Sequence, residues 1–307
     1  MNTDLPPDVV AFADSARHSL TRLGGVDLAL RTEVDRDLRE PVSRALASIG
    51  AFELDVRGDL DELLAGAQLC RIAGAVALAW PVVDELLSVD GARLALINPA
   101  APRVDHGDLG GEWVGADLDG EAHSLEFGEP RSRAKLGPFL MPASLGPARP
   151  PVAADDVARH LVLGSWRVLG SLEAALDQVV EHVGARKQFG QALAEFQAVR
   201  FAIADASVAV RGLEELAKFT TWRLVTASAA HHSADACALR LHAVDTAVAV
   251  LRTCHQMLGA IGFCDEHDVS VLDRHLQPLL RLPVSAESLA LRLVPTVEAH
   301  EFETLFS

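Results

Sequence analysis

The chain has 307 residues, half of them apolar, and a formal net charge of −16. That length supports one large domain or two modest ones around a sizeable core. The acidic balance excludes a broad electrostatic footprint for nucleic acid or anionic lipid, while leaving room for a local basic pocket.

Alanine and leucine are abundant and aromatic residues few, which predicts a mainly α protein. Cys70, Cys237, Cys254 and Cys264 lie far apart and form no CxxC pair. This argues against a disulfide framework and for a reducing, cytoplasmic setting. The opening MNTDLPPDVVAFADSARHSL is acidic and broken by prolines, unlike a signal peptide. No apolar run suits a bilayer: LVLGSWRVLGSL carries Arg167 and stops at Glu173.

In chain order, helical spacing begins in PPDVVAFADSARHSLTRL, where Asp8 follows two prolines near a helix N-terminus. EPVSRALASIGAF follows. DLDELLAGAQLCRIAGAVALAWPVVDELL is so continuously apolar that burial on several sides is expected. Residues 1–88 therefore read as an N-terminal helical domain. Short apolar runs cut by Gly, Pro and Asp come next, in GARLALINPA, GEWVGADLDG and EAHSLEFGEP. They predict a reduced β domain over 89–152. It closes in GPFLMPASLGPARPP, a proline-rich linker that cannot be helical throughout. Residues 153–307 return to long helices. One starts near Asp155 or Asp156; the next is QALAEFQAVRFAIADASVAVRGLEELAKFTTWRLV; then come SADACALRLHAVDTAVAVLRTCHQMLGAIGF and a shorter helix from about His267. Long helices with short links predict an antiparallel bundle. His231 and His232 fall at one of its turns.

Between the first two of these helices stands ARKQFGQ. Gly184 and Gly190 bracket Arg186 to Phe189, which predicts a turn with Gln191 opening the next helix. Arg186 and Lys187 at a helix N-terminus suit phosphate or carboxylate, because guanidinium fork, free N–H groups and helix dipole converge there. The same residues also read as a solvated cation pair, with Phe189 as a hydrophobic staple.

The segment RKQFGQALAEFQAVRFAIAD resembles the acyl-CoA dehydrogenase signature R-x-Q-F-G-x-x-[IL]-x-x-F-Q-x-V-x-x-x-[LI]-A-D. The match runs through Arg186, Gln188, Phe189, Gly190, Leu193, Phe196, Gln197, Val199, Ile203, Ala204 and Asp205. QMLGAIGF resembles that family's Q-x-x-G-G-x-G-F, keeping Gln256, Gly259, Gly262 and Phe263 but with Ala260 for a glycine. Arg274 also falls where the family carries an arginine. The resemblance is strong over about 155–277. It implies an N-terminal helical region, a β middle region, here shortened, and a C-terminal antiparallel four-helix bundle. It also implies FAD at a subunit interface. Arg186, Phe189, Gln256 and the Gly259–Ala260 backbone would then hold the pyrophosphate and adenosine end of the FAD shared with a neighbouring subunit.

Three departures accompany these matches. The family's glutamate base, about twenty residues after the GGxGF phenylalanine, falls at Pro283, with Glu287 the nearest carboxylate. The alternative base position aligns with His160, beside Arg159, and the family's helix arginine near CoA aligns with Leu161. The flavin-ring stretch T-E-P-x-A-G-S-D is absent, and Trp113 reads as a core residue of the β region rather than a remnant of it. The catalytic residue is thus unknown. Retention of the FAD-tail residues with loss of the rest resembles the short subunit of the α2β2 acyl-CoA dehydrogenases of actinobacterial steroid (cholesterol) catabolism. That likeness implies a larger partner chain supplying base and flavin-ring contacts, and an acyl-CoA substrate desaturated between Cα and Cβ. A self-sufficient homomer using His160 or Glu287, and a flavin-free scaffold, are the alternatives.

Cys254, His255, Cys264 and His267 lack the spacing of a closed metal-ligand set, so no metal is expected. Asp268, Asp273 and His275 read as a solvated helix face. No GxSxG elbow, P-loop or GxGxxG occurs.

Overall fold

The computed structural model describes residues 5–129 and 136–299; the first four residues and Pro130 of the segments quoted above lie outside that range. Helix α1 (Pro7–Arg22) opens with proline at its first position and Asp8 in its first turn. Both suit a helix start, where an N–H is unpaired anyway and the dipole favours an anion. It buries Val9, Ala13, Ala16 and Leu20 along one stripe. Helices α2 (Gly25–Thr32) and α3 (Glu40–Ser48) follow. Helix α4 (Leu60–Ala75) is capped by Asp59, whose carboxylate accepts from the N–H groups of Asp61 and Glu62. Ten of its residues are buried, as its continuous apolarity predicts. Ala77, at φ 47°, ends the run, and α5 (Val82–Leu86) restarts it.

The middle of the chain forms a five-stranded sheet of β1 (Arg93–Leu96), β2 (Arg103–Asp105), β3 (Trp113–Ala116), β4 (Ala122–Phe127) and β5 (Leu140–Arg149). The strand order is β1-β3-β4-β5-β2; β1 and β3 are parallel and the other pairs antiparallel. The proline-rich segment is not a linker, as the sequence suggested, but contains the longest strand. Its prolines stand where a missing N–H matters least. Pro142 lies where β5 changes partner from β2 to β4, and Pro147 lies at a register break opposite Ser124.

The C-terminal helices are α6 (Ala154–Ala185), α7 (Gln197–Thr226), α8 (Ala229–Leu258), α9 (Asp268–Arg281) and α10 (Ala286–Glu298). The first three run up, down and up. Helix α7 starts at Gln197 rather than Gln191, because a hairpin intervenes: β6 (Lys187–Gln188) pairs with β7 (Gln191–Ala192). Helix α10 had no counterpart in the sequence reading; Ser285 caps it by accepting from the Ser288 N–H. His231 and His232 lie in the first turn of α8, where His232 is buried 3.0 Å from Asp155.

Helices α4 and α6 cross in close contact. A methyl at Gly74 would run into the Arg167 carbonyl, and one at Gly170 into the Arg71 carbonyl. Ser171 Oγ donates to the Gly74 carbonyl at 3.0 Å across the same crossing. Trp166 is fully buried and donates to Thr221 Oγ1 at 2.9 Å, joining α6 to α7. Among the described residues no single helix is long and apolar enough to cross a membrane; one helix pair meets the length and composition together, but bent by 116°.

Candidate functional site

The up-down-up course brings the end of α6, the start of α7 and the end of α8 to one corner of the bundle. Arg186 leaves α6 in an extended conformation. Its N–H donates to the His182 carbonyl at 2.8 Å, and its carbonyl accepts from the Leu193 N–H at 2.8 Å. These bonds fix the root of the hairpin. Phe189 and Gly190 form its tip with φ of 51° and 85°. Two left-handed residues match the twist of a two-residue hairpin turn. Glycine adopts this conformation freely, whereas phenylalanine bears a steric cost of about 1–2 kcal/mol. Phe189 is 93% exposed, with the edge of Phe196 6.4 Å away between ring centres, so it does not bury itself as a staple would. Arg186 is exposed and forms no ion pair with any described residue.

At the same corner α8 ends in Gly259, whose φ of 63° turns the chain, and residues Gly259–Phe263 continue as one 3-10 turn. Gln256, Gly259 and Ala260 are all exposed. Gly262 is buried, and a methyl there would sit 2.9 Å from Leu258 Cβ. Its carbonyl accepts from His255 Nδ1 at 2.6 Å and from Ser270 Oγ at 2.9 Å. His255 Nε2 lies 3.0 Å from the Asp273 carboxylate. Both ring nitrogens therefore face acceptors. The hydrogen bond to Asp273 raises the imidazole pKa, with the Gly262 carbonyl adding to it against partial burial. A cationic His255 also suits the negative end of α8. Phe263 stacks on this ring yet is 77% exposed. Sequence reasoning treated His255 only as a metal candidate. Its hold on the turn depends on a carbonyl seven residues away and a carboxylate eighteen away.

Around this corner Phe189, Ile261 and Phe263 stand exposed, and Phe201 and Val208 do so along α7.

The other candidates converge elsewhere, on an inner cavity of about 60 Å³ between α5, β1, β2, α6, α8 and α9. His160 lines it, with Nε2 3.0 Å from Asp84, and so do Leu161 and Pro283. Arg167 crosses the wall to donate to the Leu78 and Trp80 carbonyls. Burial pushes the Asp105 carboxyl up to about 7, and the nearby Asp84 and Asp108 add to this against the Arg167 charge. Burial and the surrounding cations, Arg167 first, hold His106 well below its ordinary value. Past Arg103, Leu282 and Pro283 lies an outer groove of about 320 Å³. Glu287 is exposed on α10 and lines neither space. Trp113 packs in the sheet core, edge-on to Phe127 at 5.8 Å.

His275 does not lie on a solvated face. It is buried and 2.8 Å from Glu33, which also accepts from Arg274 Nε at 2.7 Å, because that face of α9 turns inward onto α2. Cys254 is fully buried, and its thiol is pushed up to about 12 by burial. No group of three His, Cys, Asp or Glu that could hold a metal occurs among the described residues.

Residues 158–279 match the family model described as acyl-CoA dehydrogenase, C-terminal domain. This segment resembles the C-terminal domain of acyl-CoA dehydrogenases. The chain is 32% identical over 113 residues to benzylmalonyl-CoA dehydrogenase of Aromatoleum aromaticum, which covers 37% of this chain and 29% of that protein. It spans under a third of the length of the curated acyl-CoA dehydrogenases it matches first. A variant of the Tcur3481-Tcur3483 steroid ACAD superposes with a TM-score of 0.77 at 17% identity, over 96% of this chain and 98% of that one. The ChsE4-ChsE5 complex from Mycobacterium tuberculosis gives 0.77 at 16%, over 97% and 99%. The acyl-CoA dehydrogenase fold thus extends across the whole chain, beyond the matched domain.

Proposed function

We propose that the chain is one subunit of a heteromeric, FAD-dependent acyl-CoA dehydrogenase, paired with a larger related chain. The reading rests chiefly on one contrast: the residues suited to a flavin tail stand exposed at the bundle corner, while this chain's own inner cleft is nearly filled. Pockets for drug-sized ligands run to about 300–1,000 Å³, and the inner cavity is far smaller.

The corner fits the tail of FAD by its donor set. Arg186 offers an uncompensated guanidinium fork to a diphosphate. The α7 N-terminus adds unpaired N–H groups, and His255 adds positive charge behind the turn. Space above Gly259 is open, so backbone can approach the ligand. Phe189 and Gln256 would cover the adenosine end. Bound FAD supplies the acceptor for the hydride leaving Cβ. The partner would supply the base for the α-proton and the contacts to the flavin ring. This chain positions the cofactor and buries Phe189 and Phe263 against the partner.

For the substrate we propose a steroid-derived CoA ester, a reading supported by the likeness to the steroid ACAD. A self-sufficient homomer is the rival reading, and His160 favours it by facing the cavity beside Asp84.

Co-expression with larger acyl-CoA dehydrogenase chains tests both. Flavin absorbance and acyl-CoA desaturation are expected only with the partner. A yellow, active homomer made by this chain alone overturns the proposal. A colourless complex in which Arg186→Ala changes nothing would make the chain a scaffold.

A further inference from the structure

The inner cavity contains a charge with no counter-charge. Arg240, on α8, is 2% exposed. Its Nη2 donates to the Leu282 carbonyl at 3.2 Å, and its Nη1 is buried with no hydrogen-bond partner. The carboxylates of the cavity serve other groups: Asp84 faces His160, and Asp105 lies 3.6 Å from His106 Nε2, with the Arg167 charge also acting on it. A buried guanidinium without an anion is costly, and burial alone pulls Arg240 down to about 10. Folded proteins pair such groups or give them a bound ion.

A second residue with an unpaired nitrogen lines the same space. His106 is 1% exposed and its Nδ1 has no partner. Its ring is held by stacking on Phe139, at 4.7 Å between centres. The two unpaired nitrogens come from distant parts of the chain, and both residues line a cavity of about 60 Å³. The space is small, with room for a few waters or one compact anion.

We propose that this cavity binds a small anion, a carboxylate or inorganic oxyanion of up to about four heavy atoms, with Arg240 as its counter-charge and His106 Nδ1 as a second contact. Arg103 lines both the cavity and the outer groove and marks the way in. The inference is independent of the flavin corner, since it uses none of those residues.

The test is thermal denaturation of the full chain, with its partner where the two co-purify, titrated with sodium formate or sodium nitrate. Sodium gluconate, too large to enter, holds ionic strength constant. Saturable stabilisation by formate alone assigns a carboxylate site; stabilisation by both anions assigns a general oxyanion site. Arg240→Met should weaken the apparent affinity at least tenfold. His106→Phe keeps the stacked ring and should weaken it by about threefold, the scale of one lost hydrogen bond. If Arg240→Met fails to fold, crystals grown in bromide give an independent reading, an anomalous peak beside Nη1. Equal responses to formate, nitrate and gluconate, an unchanged response in both variants, or no bromide at Arg240 overturns the proposal.

Discussion

Replacing Asp273 with asparagine tests whether a charged hydrogen bond holds the turn at the end of α8. The substitution keeps size and removes the anion that faces His255 Nε2 at 3.0 Å. Hydrogen bonds to charged groups net about 1.5–3 kcal/mol. The two side chains are 19% and 25% exposed, so solvent screening reduces this to about 1–2 kcal/mol. The sign of the pH dependence follows from His255. Its pKa is raised in the fold, chiefly by Asp273. The contribution is therefore complete below the unfolded value near ~6.5 and fades as pH rises through the higher folded value. Urea denaturation of both proteins from about pH 6 to pH 9 should show the gap widest at the acid end and closing towards alkali. An imidazole titration by NMR should place the wild-type ring above its ordinary value and the variant lower. A stability gap that does not change with pH, or a wild-type ring titrating at or below ~6.5, refutes the reasoning.

Other outcomes follow from the same structure. Arg186→Ala should leave melting within about 0.5 kcal/mol, since the side chain is exposed, yet weaken FAD in the heteromer at least tenfold, about 1.4 kcal/mol, read by fluorescence as the flavin is released. Gly190→Val places a β-branched residue at φ 85° and should cost about 1–2 kcal/mol, with flavin retention falling in parallel. Gly170→Ala drives a methyl into the Arg71 carbonyl at the α4–α6 crossing; a loss of about 1–3 kcal/mol or more is expected in urea. Glu214, buried against Arg71 and Lys218, has a pKa lowered by those cations against burial, Arg71 first. Glu214→Gln should therefore destabilise above the ordinary carboxylate range, and the difference should vanish as pH falls through the depressed value.

The helices were legible wherever the apolar spacing ran long. Leu60–Ala75, Gln197–Thr226 and Ala229–Leu258 each repeat it over several turns. What stayed hidden had local signals pointing the wrong way. Phe189 occupies a conformation that favours glycine, so nothing in its type announced a two-residue hairpin ahead of α7. Two prolines disguised β5, whose pairing comes from β2 and β4. His275 read as a surface residue because its partner, Glu33, lies far earlier in the chain. The corner residues were found by a local motif. The cavity residues Arg240 and His106 carry no motif and meet only through tertiary packing.

Ion pairs between distant elements bear on how firmly the chain is held around its inner cleft. Arg57 binds Asp156, linking the segment before α4 to the first turn of α6. Arg39 makes a two-pronged contact with Asp108, at 3.0 and 2.6 Å, between the residue before α3 and the loop that follows β2. Glu33 joins α2 to α9 through Arg274 and His275. Each pair joins elements that are distant along the chain. Buried pairs add little net stability over apolar packing, yet removing one partner costs about 3–5 kcal/mol, so they fix geometry more than they strengthen it. Elements pinned together in this way suit a subunit that positions a cofactor at its outer corner. Removing the tie beside His106 tests that view directly. Arg39→Met with Asp108→Leu replaces the tie by apolar groups; Arg36, which also pairs with Asp108 at 3.1 Å, keeps the Pro138 carbonyl and partial contact with solvent. If the cleft is idle, this double substitution should leave the heteromer's kcat unchanged while altering stability by no more than about 1–2 kcal/mol. A fall in kcat with assembly and flavin content intact would mean that the cleft takes part in the reaction.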